Sequence, residues 1–307
     1  MVRATLTQLP SGLLVVLRLV IAGLAYLVAL SLTSLVAFAI GQKLLPDAAR
    51  GSFGLIGLGV AEAAALGAVL LVWRRVDGQP MIALGLEPRA AGRRWLRGSA
   101  IAALMMGFIV LVNFTLLDGA SWDVNSSLSQ AGLALIGGLI GYAVQGPAEE
   151  VLFRGYILVN VRKEWGLRAA IVVSSLSFAV VHIDNPAFGL VPFINLVLFG
   201  VAMALYRVYV DDDQLWGVFG IHTVWNWLQQ VVFGLPNSGY AAVPDYTLFT
   251  VTPNTAVPSL LWGGGFGPEG TLAASLALLA LIGACLGTRP KSRRKPRNAS
   301  GPRSQAV

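Results

Sequence analysis

Long apolar runs, each close to the length that crosses a bilayer, alternate with short polar segments along most of the chain. At about 1.5 Å per residue, roughly 20 apolar residues span the hydrocarbon core. The pattern predicts eight spans, at about 12–40, 52–73, 99–117, 131–161, 167–183, 192–210, 215–233 and 270–287. Runs of this length argue for helices rather than a barrel. The expected fold class is therefore all-α, a polytopic membrane protein of about eight transmembrane helices. The run at 131–161 is too long for one perpendicular crossing and contains Gly146-Pro147, so a tilt or kink is expected there.

Basic residues fix an orientation for these spans. With eight crossings and a cytoplasmic N-terminus, all of the 22 lysines and arginines fall inside except Arg18, Lys43 and Arg50. Arg18 lies within the first span. The 118–130, 184–191 and 234–269 segments have no Lys or Arg at all. Such segregation places both termini in the cytoplasm. One membrane domain over 1–288 is expected, with a basic, disordered cytoplasmic tail over 289–307.

Composition agrees. Hydrophobic residues make up 56% and charged residues 12%, against roughly 25% charged in soluble domains. The net charge of +7 is explained by the inside loops and the tail, and a nucleic-acid partner is not expected. The lone Cys285 excludes an intrachain disulfide. The first apolar run lacks a clear cleavage site, so it is taken as a span and not a removed signal peptide. Two segments stay open. The 74–98 stretch, with Arg93, Arg94 and Arg97 around Trp95 and Leu96, suits either the anionic leaflet or a plain loop. The 234–269 stretch, rich in Gly, Pro and aromatics, is expected to form an ordered cap. Asp211 to Asp213 are expected in a solvated turn.

Against this apolar background a few polar residues stand out. Glu149, Glu150 and Arg154 lie inside the fourth span. An ionisable group at membrane depth costs at least ~2.5–3.5 kcal/mol, so it faces an interior and works there. Glu150 and Arg154, four apart, share a helix face, as do His222 and Asn226. Glu149 is turned about 100° from Glu150, which predicts different roles. Counting rise from the span ends brings Glu149, His182, His222 and Asn226 to similar depths, with His222 somewhat shallower.

A carboxyl in a poorly solvated cavity suits a general base for water near neutral pH. An imidazole beside it orients the water, and a second imidazole with an amide donates to the oxyanion of an attacked carbonyl. Glu149, His182, His222 and Asn226 fill those places. For Glu150 with Arg154, a structural ion pair and direct chemistry are both open. Glu62 has no obvious partner and is taken as structural or cavity-lining. Phe178 is taken as packing that fixes the His182 ring, while Tyr142, Tyr156 and Asn195 either line the cavity or cross-bond helices.

These residues carry a resemblance. Glu149-Glu150-Val-Leu-Phe-Arg154 resembles the EExxxR motif of the CPBP (CAAX protease and bacteriocin-processing, Abi) intramembrane proteases. Phe178-Ala-Val-Val-His182 is similar to their FxxxH motif, and His222-Thr-Val-Trp-Asn226 to their HxxxN/D motif. Order and spacing agree over about 130–235, the expected catalytic core. Gly267-Pro268-Glu269-Gly270 is similar to a stretch in many bacterial members, whereas the first 125 residues match only as generic spans.

The resemblance implies a metal-independent glutamate endopeptidase without a cofactor. Glu149 would be the base, His182 its assistant, His222 and Asn226 the oxyanion hole, and Glu150 with Arg154 the support. A peptide or membrane-protein substrate and the lipid bilayer are the implied partners. The abundance of Ala, Gly, Val and Arg suits a GC-rich bacterial genome, and hence a multi-pass protein of a bacterial plasma membrane. Two other readings compete. One is a metal-dependent hydrolase with Glu149, His182 and His222 as ligands, against which stands the lack of a His-Glu-x-x-His helix. The other is a non-catalytic scaffold, immunity factor or transporter, although no inverted repeat is evident. Substrate identity and oligomeric state do not follow from the sequence.

Overall fold

The computed structural model describes residues 10–44, 47–124, 128–243 and 246–288. The basic tail at 289–307 lies outside the described residues. A hairpin of α1 (Ser11–Leu44) and α2 (Asp47–Val72) forms one side of the molecule. Helix α2 packs on α4 (Leu128–Glu150), α4 on α7 (Trp216–Asn226), and α7 on α3 (Ala91–Val110). On the other side α5 (Leu158–Val180) packs on α6 (Leu190–Leu205), and α6 on α8 (Leu272–Gly287). All eight apolar runs are thus helical. Helices covering Ser11–Leu44, Gly57–Asp77, Ala91–Phe114 and Leu190–Val210 are long and apolar enough to cross a membrane.

The outer faces are apolar. Leu13, Leu24, Leu32 and Phe38 on α1, Leu104 on α3 and Ile140 on α4 are all exposed. In water such a belt would be untenable, whereas lipid tails solvate it freely. The chain is an integral membrane protein.

Within the expected fourth span, the helix does not stop at Pro147. Helix α4 continues through it and widens into a π turn over Val151–Ile157 before α5 begins. A π turn inserts an extra residue and re-aims the side chains around it, and such turns are frequent at functional sites. The break comes at Gly166 instead, with φ 80° and ψ 174°, a conformation open to glycine and strained for other residues.

Three expectations are modified by the fold. The all-α class gains a small exception, an antiparallel ribbon of β1 (Ala120–Val124) and β2 (Phe249–Pro253). The 74–98 stretch is neither a loop nor a leaflet helix throughout. Its second half is the start of α3, which lies along α7. Asp211 is not solvated: it is wholly buried, takes Arg97 at 2.5 Å, and accepts a 2.7 Å bond from the Gly217 amide. Arg94 donates to its backbone carbonyl. The sequence shows three adjacent acids, but only tertiary contact distinguishes the buried one from Asp212, which is exposed.

The described residues of the 234–269 segment fold as an ordered cap. The Glu269 carboxylate accepts from the Ser238 amide (2.8 Å), the Ser238 hydroxyl (2.9 Å) and the Trp225 indole (3.1 Å). The Ser238 bonds close the cap on itself, and the Trp225 bond ties it to α7.

Candidate active site

Helix α4 presents Tyr142, Gln145 and Glu149 to a cavity of about 790 Å³. Spacings of three and four place all three on one face. Helix α7 adds His222 and Asn226, the end of α5 adds His182, and α1 and α2 add Tyr26 and Glu62. Glu150, a third of a turn further round, points instead between helices and is wholly buried. The two adjacent acids therefore have different surroundings, as the helix period requires.

Glu150 is the hub of the buried half. Its Oε1 accepts from Arg154 Nη1 at 2.9 Å and from His222 Nδ1 at 2.9 Å. The Arg154 guanidinium lies 4.3 Å over the Phe178 ring, and the rings of Phe153 and Phe199 are each 5.9 Å away. This planar cation on aromatic faces keeps some compensation for its lost water. The helices approach closely nearby: a Cβ on Gly146 would stand 3.2 Å from the His222 Cβ and 3.1 Å from the Thr223 amide.

Glu149 is the cavity half, with its side chain 14% exposed. Its Oε1 accepts from Gln145 Nε2 at 2.5 Å. Its Oε2 has no hydrogen bond among the described residues and lies 3.7 Å from His222 Nε2, an ion-pair distance too long for a hydrogen bond. The Gln145 oxygen accepts from Asn226 Nδ2 at 2.9 Å. Gln145 thus joins Asn226 to Glu149 and its amide orientation is fixed from both ends.

His182 sits just beyond α5 and makes no hydrogen bond to Glu149 among the described residues. Its Nδ1 is 2.7 Å from the Phe178 carbonyl, which can only accept, so the proton is on Nδ1. In the neutral ring, Nε2 is left as an acceptor. Phe178, whose ring centre is 4.8 Å from that of His182, packs against the imidazole.

The structure accordingly brings Glu149, His182, His222 and Asn226 to one cavity and sets Glu150 and Arg154 directly behind it. Tyr142 lines the cavity and donates to Gln230. Tyr156 does not line it: its hydroxyl bonds Asp77 at 2.6 Å and cross-links helices. Asn195 lines the cavity and donates to the Glu269 and Thr271 carbonyls at 2.6 and 2.9 Å. Glu62, without an evident partner in sequence, accepts from the Tyr26 hydroxyl at 2.7 Å.

Sequence reasoning missed Gln145, Tyr26, Asn237 and Ser238. Gln145 had a signal, since it precedes Glu149 by one helical turn. Tyr26 had none, because its pairing with Glu62 is a contact between helices. Among the described residues no three His, Cys, Asp or Glu side chains are grouped as a metal site.

Comparison with known proteins adds one finding. Residues 130–228 match the family model described as type II CAAX prenyl endopeptidase, Rce1-like. This stretch is an Rce1-like domain of the CPBP family. No curated protein and no solved structure matches the chain. The Rce1-like domain runs from the start of α4 to the π turn after α7 and so holds Glu149, Glu150, Arg154, His182, His222 and Asn226. Glu62 and Tyr26 reach the same cavity from outside it. The match indicates a CAAX protease-like hydrolase domain over this stretch.

Proposed function

We propose that the chain is an intramembrane glutamate endopeptidase that hydrolyses a peptide bond with a water activated by Glu149. The observation that carries this reading is Glu149, a cavity-lining carboxyl whose buried Oε2 is unbonded among the described residues and lies 3.7 Å from His222 Nε2. Glu149 takes a proton from water as the oxygen attacks the carbonyl carbon. The His182 Nε2 lone pair accepts a hydrogen bond from the same water and aims it. His222 Nε2, carrying a proton, and the Asn226 amide donate to the oxyanion. The proton held by Glu149 then passes to the leaving nitrogen as the C–N bond breaks. Glu150 and Arg154 hold the His222 ring in place from behind. No cofactor or metal enters this scheme.

The same reading has eight spans in a single membrane domain over 1–288, both termini cytoplasmic, and a bacterial plasma membrane around it. Support comes from the distribution of charge. Arg94, Arg97 and Arg162 gather near the Asp211–Asp213 turn. The β-ribbon and the cap on the cavity carry no Lys or Arg. The substrate is a peptide or a membrane protein presented within the bilayer.

The test compares wild type with Glu149→Gln, both in membrane proteomes and with purified protein on peptides. Neo-termini present with wild type and lost with Glu149→Gln are expected. Identical neo-termini from both would overturn the hydrolase.

A further inference from the structure

Among the described residues, the buried carboxyls follow a rule with one exception. Asp77 takes Arg18 at 2.9 Å, Glu150 takes Arg154 at 2.9 Å, and Asp211 takes Arg97 at 2.5 Å. Glu62 is as deeply buried, 4% exposed, and has no arginine or lysine. Its only partner among the described residues is the Tyr26 hydroxyl on Oε2, which leaves Oε1 without a hydrogen bond. A buried carboxylate lacking a cation is costly unless something supplies one.

The cavity explains what that something is. Glu62 lines the same space as Glu149, and each lies within electrostatic reach of the other. Glu269 is a third acid in the wall. No Lys or Arg lines the cavity among the described residues, and Arg154 is already committed to Glu150. The remaining walls, including Leu19, Leu27, Leu30, Leu152 and Ile157, are apolar. Such a space repels a free C-terminal carboxylate and attracts a cation carried on an apolar segment.

Building on the hydrolase reading, we propose that Glu62, held by Tyr26, is the subsite for a basic side chain of the substrate. The preferred substrates are then peptides with a lysine or arginine near the scissile bond, in an otherwise apolar stretch. Tyr26 positions the carboxyl by occupying Oε2, and Oε1 is left for the substrate's ammonium or guanidinium. The pair joins α1 to α2, so substrate choice is set by helices outside the Rce1-like domain.

The experiment uses full-length protein in liposomes and quenched-fluorescent apolar peptides. At each position in turn the peptide carries lysine, its uncharged isostere norleucine, or glutamate. At one position near the cleaved bond, lysine is expected to exceed norleucine in kcat/KM by about tenfold, the scale of one buried ion pair, with glutamate worst. Glu62→Gln keeps an acceptor for Tyr26 but removes the charge, and is expected to bring the lysine-to-norleucine ratio to about one. Glu62→Asp, which withdraws the charge by one methylene, is expected to give an intermediate ratio. Equal cleavage of lysine and norleucine peptides everywhere overturns the subsite and leaves the hydrolase standing. So does a lysine preference that survives Glu62→Gln, which would mean that Glu62 holds a proton and acts as a neutral group. Absence of any Glu149-dependent cleavage overturns both.

Discussion

Two acidic centres in this protein use the same chemistry to opposite ends. Around Asp211, Arg97 from α3 and the amide of Gly217 at the start of α7 match the two carboxylate oxygens, and Arg94 donates to its backbone carbonyl. Around Glu149, one oxygen is bonded by Gln145 and the other is left unbonded among the described residues. A matched ion pair holds helices in register and has nothing left to give a substrate. An unmatched buried carboxyl weakens the fold and keeps its basic atom available. Glu150 stands between the two: Arg154 and His222 match its Oε1, while its Oε2 has no hydrogen bond among the described residues.

The contrast can be broken most sharply at Glu149. Glu149→Ala is expected to lower peptide cleavage by about 10²–10⁴-fold, the range for a lost general base, with no loss of melting temperature. A matching fall in melting temperature would move Glu149 into the structural class. Asp211→Ala should do the reverse. Stability is expected to drop by about 2–3 kcal/mol, below the ~3–5 of a fully buried pair because Arg97 is half exposed. Turnover per folded molecule should be unchanged, as read by thermal melts alongside active-site-normalised assays.

Between these extremes lies Gln145, which bonds Glu149 and Asn226 at once. Gln145→Leu is expected to cost about tenfold in kcat, roughly 1.4 kcal/mol at the barrier, with melting close to wild type. A KM change alone would show that Gln145 merely lines the cavity. The smallest effect is expected at Gly146, where an added methyl presses on His222. Gly146→Ala should cost about 1 kcal/mol, the low end of overpacking strain because the new contacts are 3.1–3.2 Å, and reduce cleavage a few-fold, because the Nε2–Glu149 distance changes. Unaltered cleavage would show that the ring position is not critical.

Much of the site was legible along the chain because its signals are local. Glu149 and Glu150 are consecutive, Arg154 and Asn226 follow their partners by one turn, and all interrupt apolar runs. Helix geometry then separates the two acids without further information. The apolar runs were legible as helices for the same reason, and four of those helices are long and apolar enough to cross a membrane. What escaped was non-local. Tyr26 and Glu62 are 36 residues apart, and neither has a neighbour that marks it. Asp211 looked like its two neighbours until α3 packed beside it.

By itself, the sequence determined that apolar helices carry polar groups at membrane depth, and which of those groups share a helix face. These properties depend on residue type and a fixed helical period. Only the tertiary structure decided which carboxyl meets a cation and which meets empty space. A charge is neutralised or left unmatched by groups from other helices, and their approach is set by packing that no single segment encodes.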